Sequence, residues 1–241
     1  MDRAADLAIR IRATMDSELK ADGSIVTTAD REVETFLRKE LADAWPGTTF
    51  WGEEFGREEP SDAGYWLIDP IDGTSNFSFG SPLWGISVAM AVEDRIELGA
   101  VWLPDLNEAY LAEAGQGAFR NGLPMANIPP GPILRHQLVS VNELILRNYR
   151  PHELPGKFRC AGAFVVDGTF AATQRYRGLI GYGEYLYDAA ACMLIAQELG
   201  AEIRWASGGS LPMAELVAGQ RMVPAWVVFP QDSGFQLPDP G

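Results

Sequence analysis

The sequence predicts an α/β fold with two subdomains, and three observations favour this class. Short apolar strands alternate with amphipathic helices along the whole chain of 241 residues. The hydrophobic fraction of 47% and the charged fraction of 22% are those of a globular protein that buries a sizeable core. Pro129 and Pro130 interrupt both helix and sheet, so we expect a boundary there, between subdomains 1–128 and 129–241.

The elements follow from periodicity and from turn residues. Helices are predicted where apolar residues recur at helical spacing, near 4–18, 30–45, 163–173 and 188–199. Strands are predicted at 25–27, 48–51, 66–68, 86–92, 96–102, 108–112, 138–141, 203–205 and 223–229. Glu93 and Asp94 suit a hairpin turn, Gly200 suits a helix C-cap, and the Pro- and Gly-rich residues 230–241 predict an irregular tail.

Charge and cysteine content exclude several classes of protein. The net charge is −14, from 33 acidic and 19 basic side chains, and it repels nucleic-acid backbones and anionic membranes. No segment has the apolar length of a membrane span, and the first residues lack the apolar stretch of a signal peptide, so we expect a cytoplasmic protein. Cys160 and Cys192 form no Cys-x-x-Cys pair, which argues against a disulfide scaffold or a thiolate zinc site.

The sharpest chemical feature is the segment 66–77, with the sequence WLIDPIDGTSNF. An apolar strand ends at Asp69, Pro70 favours a turn, and Asp72 follows three residues later. Two carboxylates on one tight turn repel each other unless a cation lies between them, and hard oxygen ligands suit Mg²⁺. The alternative is that both aspartates only accept hydrogen bonds from turn and helix-cap amides.

Three other carboxylates have equally simple structural interpretations when taken one at a time. Glu53 follows a predicted strand and lies next to Glu54, which is typical of a solvated acidic loop. Asp30 and Asp188 each stand at the beginning of a predicted helix, where an aspartate commonly serves as N-cap. None of them alone indicates a function.

As an ordered set, these segments resemble the inositol monophosphatase family. This lithium-sensitive sugar phosphatase superfamily also includes fructose-1,6-bisphosphatases and the phosphoadenosine and histidinol phosphatases. The resemblance spans roughly residues 4–205, an extent that chance matches to short motifs do not explain. It rests on the segments 20–30, 52–54, 66–77, 115–122 and 187–200.

The resemblance implies a fold and a site. The fold is an α-β-α-β-α sandwich with the active site between its two subdomains, in a homodimer. The implied ligands of two or three Mg²⁺ ions are Glu53, Asp69, Asp72 and Asp188, with the carbonyl oxygen of Ile71. Asp30 and Thr74 orient the attacking water, with Glu53 as a third catalytic residue. The implied contacts to substrate are Asp72, Gly73, Thr74, Gly162, Ala163 and Asp188.

The implied activity is Mg²⁺-dependent hydrolysis of a small phosphate monoester by a metal-activated water. The candidate substrates are a sugar, polyol, amino-alcohol or nucleotide 3′-phosphate. A catalytically weak member that acts as a regulatory or complex-forming binding protein is the alternative. Gly181 stands where inositol monophosphatases carry a glutamate that binds inositol hydroxyls, so the substrate stays open. Lys20 is similar to a family lysine near the metals, or is simply a solvated turn residue.

Overall fold

The computed structural model describes residues 1–13, 17–19 and 25–237. The helices are α1 (Asp2–Arg12), α2 (Thr28–Ala44), α3 (Thr74–Ser78), α4 (Glu143–Asn148), α5 (Phe164–Ala172), α6 (Leu186–Glu198) and α7 (Met213–Val217). The strands are β1 (Ser17–Leu19), β2 (Ile25–Thr27), β3 (Thr49–Gly52), β4 (Gly56–Arg57), β5 (Tyr65–Asp72), β6 (Gly85–Val92), β7 (Arg95–Leu103), β8 (Glu108–Glu113), β9 (Ala118–Arg120), β10 (Leu123–Pro124), β11 (Leu138–Val141), β12 (Lys157–Arg159), β13 (Gly178–Gly181), β14 (Ala201–Trp205) and β15 (Trp226–Pro230).

Two mixed sheets dominate the fold, beside a small hairpin of β1 and β2. The larger sheet has eight strands in the order β10-β9-β8-β7-β6-β5-β3-β4, and only β3 and β5 in it are parallel. The smaller sheet has five strands in the order β12-β11-β13-β15-β14, with β12, β11 and β13 parallel and β15 antiparallel to its neighbours. All strands of the larger sheet precede those of the smaller one in the chain. The subdomain boundary at residue 128 stays a prediction.

The layers alternate as helix, sheet, helix, sheet, helix. Helices α1 and α2 pack on one face of the eight-stranded sheet, and α5 and α6 fill the space between the two sheets. The outer face of the five-stranded sheet is covered by α4, through Ile145, and by the C-terminal residues Phe235 and Leu237. This arrangement confirms the predicted α/β layered sandwich.

Strand β5 is buried on both faces because helices cover both sides of it. Trp66 and Ile68 pack in the core beside α2, whereas Tyr65 and Leu67 pack in the core that contains α6. A strand covered on both sides has no polar face, so its sequence reads as a continuous apolar run. This burial places Asp69, the next residue, at 2% exposure.

Several predicted boundaries were wrong. The opening helix ends at Arg12 rather than near residue 18, because Ser17–Leu19 pair as β1 with β2 in an antiparallel hairpin. Helix α2 begins at Thr28, two residues before Asp30, because Thr27 is its N-cap: the Thr27 hydroxyl oxygen accepts from the Ala29 amide at 3.1 Å. The turn predicted at 20–24 lies outside the described residues.

The end of β5 also differs from the prediction. The strand does not stop at Asp69 and turn at Pro70; it continues to Asp72. Its pairing with β6 shifts register between Asp69 and Asp72, and Pro70 lies inside this irregularity, where no backbone donor is needed. One strand therefore carries both aspartates.

The contact between α5 and α6 is close at Gly168. A Cβ atom placed there would lie 2.6 Å from both Cβ and Sγ of Cys192. We expect Gly168→Ala to cost about 1–3 kcal/mol of folding stability, because it forces the two helices apart. Chemical denaturation measures this cost. The pair Gly168→Ala with Cys192→Gly should cost less than the sum of the single substitutions, and strict additivity would contradict the packing argument.

None of the described helices has the length and apolar character needed to cross a membrane.

Candidate active site

The C-terminal ends of β3 and β5 carry three of the predicted metal ligands. Because these strands are parallel neighbours, their ends meet at the same edge of the sheet. Glu53 directly follows β3, and its amide donates to the carbonyl oxygen of Ile68 at 3.1 Å. Asp69 and Asp72 belong to β5 itself. The strand that precedes Glu53 therefore adjoins the strand that carries Asp69 and Asp72.

Asp188 reaches the same region from the middle layer of helices. It is the third residue of α6, not the first, and its Oδ2 accepts from the amide of Tyr185 at 2.8 Å. The helix begins two residues earlier than predicted. Asp188 therefore accepts a hydrogen bond from an amide at the helix N-terminus, as an N-cap would, although it lies within the helix.

The acidic side chains at this edge repel one another. Burial raises the pKa of Asp69 and of Asp188 well above the usual range, and the charges of Glu53 and Asp72 raise both further. Burial likewise raises the pKa of Asp72 to about 7, with Glu53 and Asp167 adding to the effect. Carboxylates from β3, β5 and α6 therefore influence one another electrostatically at this edge. All of these donors are oxygen atoms, a set that fits Mg²⁺ rather than a softer metal.

Each of the three aspartates is turned toward a backbone amide. Asp69 Oδ1 accepts from the Ile71 amide at 3.1 Å, Asp72 Oδ2 accepts from the Val165 amide, and Asp188 accepts as described above. Over residues 1–13, 17–19 and 25–237, no group of three or more His, Cys, Asp or Glu side chains has the spacing of a complete metal site. The role of these carboxylates as metal ligands therefore stays a proposal.

The structure brings together the predicted pair of Asp30 and Thr74. The Thr74 hydroxyl lies 3.1 Å from Asp30 Oδ1 and 3.0 Å from the carbonyl oxygen of Ile71, and its single proton can be donated to either. The other Asp30 oxygen accepts from the amide and the hydroxyl of Thr27, at 2.8 and 2.6 Å. Asp30 has no exposed surface, and this burial raises its pKa despite the hydrogen bonds. When Thr74 donates to Asp30, its oxygen is free to accept a hydrogen bond from a water.

The two predicted phosphate-contacting segments also lie side by side. Gly73 has a φ of +82° and precedes α3, while Gly162 and Ala163 precede α5. A Cβ atom on Gly73 would lie 2.7 Å from Cβ of Ala163, so the close approach requires glycine. Asn76 joins the loops, since its Nδ2 donates to the carbonyl oxygen of Ala161 at 2.8 Å.

The space at Gly181 is filled by other side chains. A Cβ atom there would lie 2.4 Å from Nε1 of Trp226 and 2.9 Å from Oε2 of Glu184. Trp226 Nε1 donates to that same Glu184 oxygen at 2.8 Å, and Asn142 Nδ2 donates to the other at 2.6 Å. A larger residue at position 181 therefore has no room. The carboxylate of Glu184 lies next to this position instead.

Sequence reasoning missed two buried carboxylates near the site. Asp167 is 7% exposed, one of its oxygens is buried without a hydrogen-bond partner, and burial raises its pKa to about 7. Glu34 is fully buried in α2, one helical turn after Asp30. Spacing of four residues on one helix could have identified Glu34 as facing the same side as Asp30. Lys20 lies outside the described residues.

The order and geometry of these elements agree with comparisons to known proteins. The sequence profile of the inositol monophosphatase family matches residues 3–228. The chain belongs to the inositol monophosphatase family. Members of this family are phosphomonoesterases with a metal-dependent activity, which confirms the predicted enzyme class.

Three relatives show the range of names within the family. The chain is 32% identical over 225 residues to an inositol-1-monophosphatase of Mesorhizobium japonicum, covering 85% of this chain and 82% of the relative. It is 31% identical over 238 residues to a putative Nus factor SuhB of Neisseria meningitidis, covering 92% and 90%. A histidinol-phosphatase of Chlorobaculum parvum is 42% identical over 106 residues, which span 44% of this chain and 41% of the relative.

Solved structures of the family share the fold. An IMPase of Thermotoga maritima superposes with a TM-score of 0.80 at 26% identity, over 94% of this chain and 87% of that one. An IMPase/NADP phosphatase solved with Mg²⁺ and phosphate superposes with a TM-score of 0.81 at 23% identity, over 95% and 86%.

Proposed function

We propose that the protein is a Mg²⁺-dependent phosphomonoesterase that hydrolyses a small phosphate monoester by direct attack of water. The observation that carries this proposal is the convergence of carboxylates from β3, β5 and α6 beside the Asp30–Thr74 pair and the amides that precede α3 and α5. A negative cluster of this kind repels a phosphate ester unless cations neutralise it. The inferred ligands are Glu53, Asp69, Asp72, Asp188 and the carbonyl oxygen of Ile71, for two or three ions.

Each group of residues at the site would have a separate role in hydrolysis. Bound Mg²⁺ supplies a water of lowered pKa and neutralises charge on the phosphoryl oxygens. Thr74 accepts a hydrogen bond from the attacking water while donating to Asp30, which aligns the water oxygen with phosphorus. The amides of Gly73, Thr74, Gly162 and Ala163 hold the phosphoryl oxygens. A bond forms between the water oxygen and phosphorus, and the phosphorus–oxygen ester bond breaks. The leaving alcohol takes up one proton, which balances the proton given up by the attacking water.

The substrate proposal rests on Glu184. Asn142 and Trp226 donate hydrogen bonds that orient its part-buried carboxylate beside Gly181. The negative charge of Glu184 also raises the pKa of Asp188. We propose that Glu184 accepts a hydrogen bond from a hydroxyl or ammonium group of the leaving alcohol. This favours polyol and amino-alcohol phosphates among the candidates, in line with relatives named for inositol phosphate and for histidinol phosphate.

Replacing Glu184 with Gln tests this assignment. The amide keeps the shape but loses the negative charge, so we expect kcat/KM to fall about 10- to 100-fold for the preferred ester. Hydrolysis of p-nitrophenyl phosphate, whose leaving group has no such donor, should change much less. Equal losses for both esters would contradict a role in substrate selection.

A phosphate-release assay with Mg²⁺ tests the proposed function itself. The panel comprises inositol 1-phosphate, fructose 1,6-bisphosphate, histidinol phosphate and 3′-phosphoadenosine 5′-phosphate. We expect one of the first three to be hydrolysed with the highest kcat/KM. The matched control is the exposed substitution His152→Gln, which should leave every rate unchanged.

The second candidate function is a complex-forming binding protein with weak catalysis. Relatives named as Nus factors favour it, since one of them matches this chain over 92% of its length. Against it, every carboxylate of the proposed metal site is present in this sequence. Mg²⁺ binding without phosphate release from any ester of the panel would favour this candidate over the first.

A homodimer remains a prediction of the family resemblance, and a cytoplasmic location remains a prediction from the sequence. Sedimentation equilibrium of the purified protein tests the first: a mass of twice 26.3 kDa is expected, and a monomer at micromolar concentration would contradict it.

A further inference from the structure

Glu34 is a fully buried carboxylate that the proposed mechanism does not use. It lies in α2, one turn after Asp30, and has no exposed surface. Its Oε2 accepts from the amide of Glu54 at 2.8 Å, and its Oε1 accepts from Nε of Arg38 at 2.8 Å. A buried charge destabilises a fold unless it is paired and hydrogen-bonded, and Glu34 meets both conditions.

Arg38 extends this contact across the turn that joins β3 to β4. Its Nη2 donates to the carbonyl oxygen of Gly56 at 2.9 Å, and its Nη1 donates to Glu58 at 2.7 Å. The guanidinium also lies 5.3 Å from the ring centroid of Phe50 in β3. Glu34 and Arg38 therefore hold the turn 53–55, which contains Glu53, through the amide of Glu54 and the carbonyl oxygen of Gly56.

Gly52 makes the contact possible. A Cβ atom on this residue would lie 1.9 Å from Oε1 of Glu34 and 2.2 Å from its carboxyl carbon. Only glycine at the end of β3 leaves room for the Glu34 carboxylate to contact this strand.

We propose that Glu34 is a positioning residue that fixes the turn carrying Glu53 and thereby sets the affinity of the site for Mg²⁺. The inference rests on the metal role of Glu53 in the proposed function. Helix α2 would then position two parts of the site. Asp30 would orient Thr74, and Glu34, one turn later on the same helix, would hold the turn that contains Glu53. Groups that hold a metal ligand in place without touching the metal commonly control affinity.

Calorimetry of Mg²⁺ binding to the whole protein tests the proposal without relying on activity. We expect Glu34→Gln to weaken binding about 10- to 100-fold. The Mg²⁺ concentration for half-maximal phosphate release should rise by the same factor, while kcat at saturating Mg²⁺ changes less. The matched control is Glu40→Gln, an exposed acid on the same helix whose partner is Arg3.

A second variant, Gly52→Ala, distinguishes a specific effect of Glu34 from a general loss of folding. Gly52→Ala displaces the Glu34 carboxylate without removing it, so it should weaken Mg²⁺ binding as Glu34→Gln does. In a protein that already carries Glu34→Ala the added methyl group has room, and Gly52→Ala should then have little further effect. Circular dichroism confirms that each variant is folded.

The outcomes separate this inference from the function on which it rests. Unchanged Mg²⁺ affinity in folded Glu34→Gln and Gly52→Ala would overturn the role of Glu34 and leave the phosphatase proposal standing. Full additivity of Gly52→Ala and Glu34→Ala would also overturn it. No Mg²⁺ binding by the unsubstituted protein would overturn both proposals.

Discussion

Replacing Asp72 with Asn is expected to lower Mg²⁺-dependent phosphate release by roughly 10²- to 10³-fold, the scale of losing one aligned charge-stabilising group. Asp72 lies at the end of β5, close enough to Glu53 for that charge to raise its pKa, and its carboxylate is held by the Val165 amide at the beginning of α5. Asn keeps the volume and the hydrogen-bond acceptor but supplies a neutral ligand. The measurement is kcat/KM at saturating Mg²⁺ for the ester preferred in the panel. Wild-type turnover in folded Asp72→Asn protein would exclude Asp72 as a metal ligand.

The same substitution should stabilise the protein once metal is removed with a chelator. The folded-state pKa of Asp72, about 7, lies above the ordinary value of 3.8, so its ionised form destabilises the fold. This penalty is fully present above pH 7 and is relieved as pH falls through the folded pKa toward 4. Asp72 is only partly buried, so solvent screening reduces the effect, and we expect the variant to be more stable by about 1–2 kcal/mol at pH 8.

Thermal denaturation of chelated protein at pH 8 and pH 5 measures this difference. The gain in Tm for Asp72→Asn should be larger at pH 8 and shrink toward pH 5. A variant less stable than wild type at both pH values would contradict the proposed repulsion within the carboxylate cluster.

The second large effect is expected at Thr74. Thr74→Val keeps the branched shape but removes the hydroxyl that bonds to Asp30, so the attacking water loses its acceptor. We expect kcat to fall by about 10²- to 10⁴-fold, the range for a positioned acid–base group. Thr74→Ser retains the hydroxyl and should keep most of the activity, which makes it the matched control.

Asp30→Asn should cause a loss of similar size, since Thr74 and Asp30 act as a unit. The double variant of Asp30→Asn with Thr74→Val should then be little worse than either single one, because residues that act together are strongly non-additive. Multiplicative losses, or Thr74→Ser as inactive as Thr74→Val, would contradict a shared role in orienting water.

The sequence predicted most of the fold where local patterns decide the structure. Strands β6, β7 and β8 came within a residue or two of their true bounds, and the hairpin at Glu93 and Asp94 is confirmed by the pairing of Val92 with Arg95. These strands have apolar runs bounded by turn residues, so neighbouring residues suffice to define them. The ordered motifs also gave the residues of the candidate site, and their roles stay predictions.

The remaining features depend on contacts between distant parts of the chain. Nothing near Gly181 predicts that Trp226, 45 positions later, fills its side-chain space. The burial of Glu34 depends on Gly52, on a neighbouring strand. Asp30 was placed at the helix start, although Thr27 and Asp30 have capping-box spacing that could have set the true start. Helix α4 (Glu143–Asn148), absent from the predicted elements, is short and has a single fully buried residue, Ile145.

The most direct test of the phosphatase site is phosphate release by metal-stripped protein as Mg²⁺ is restored, with the preferred ester of the panel. The proposed site predicts no release above background under excess chelator and full recovery with Mg²⁺. At the same Mg²⁺ concentration, the Asp72→Asn variant should recover to a rate roughly 10²- to 10³-fold lower. Phosphate release that continues unchanged under chelator, or that recovers equally in Asp72→Asn, would contradict catalysis by metal held at the end of β5.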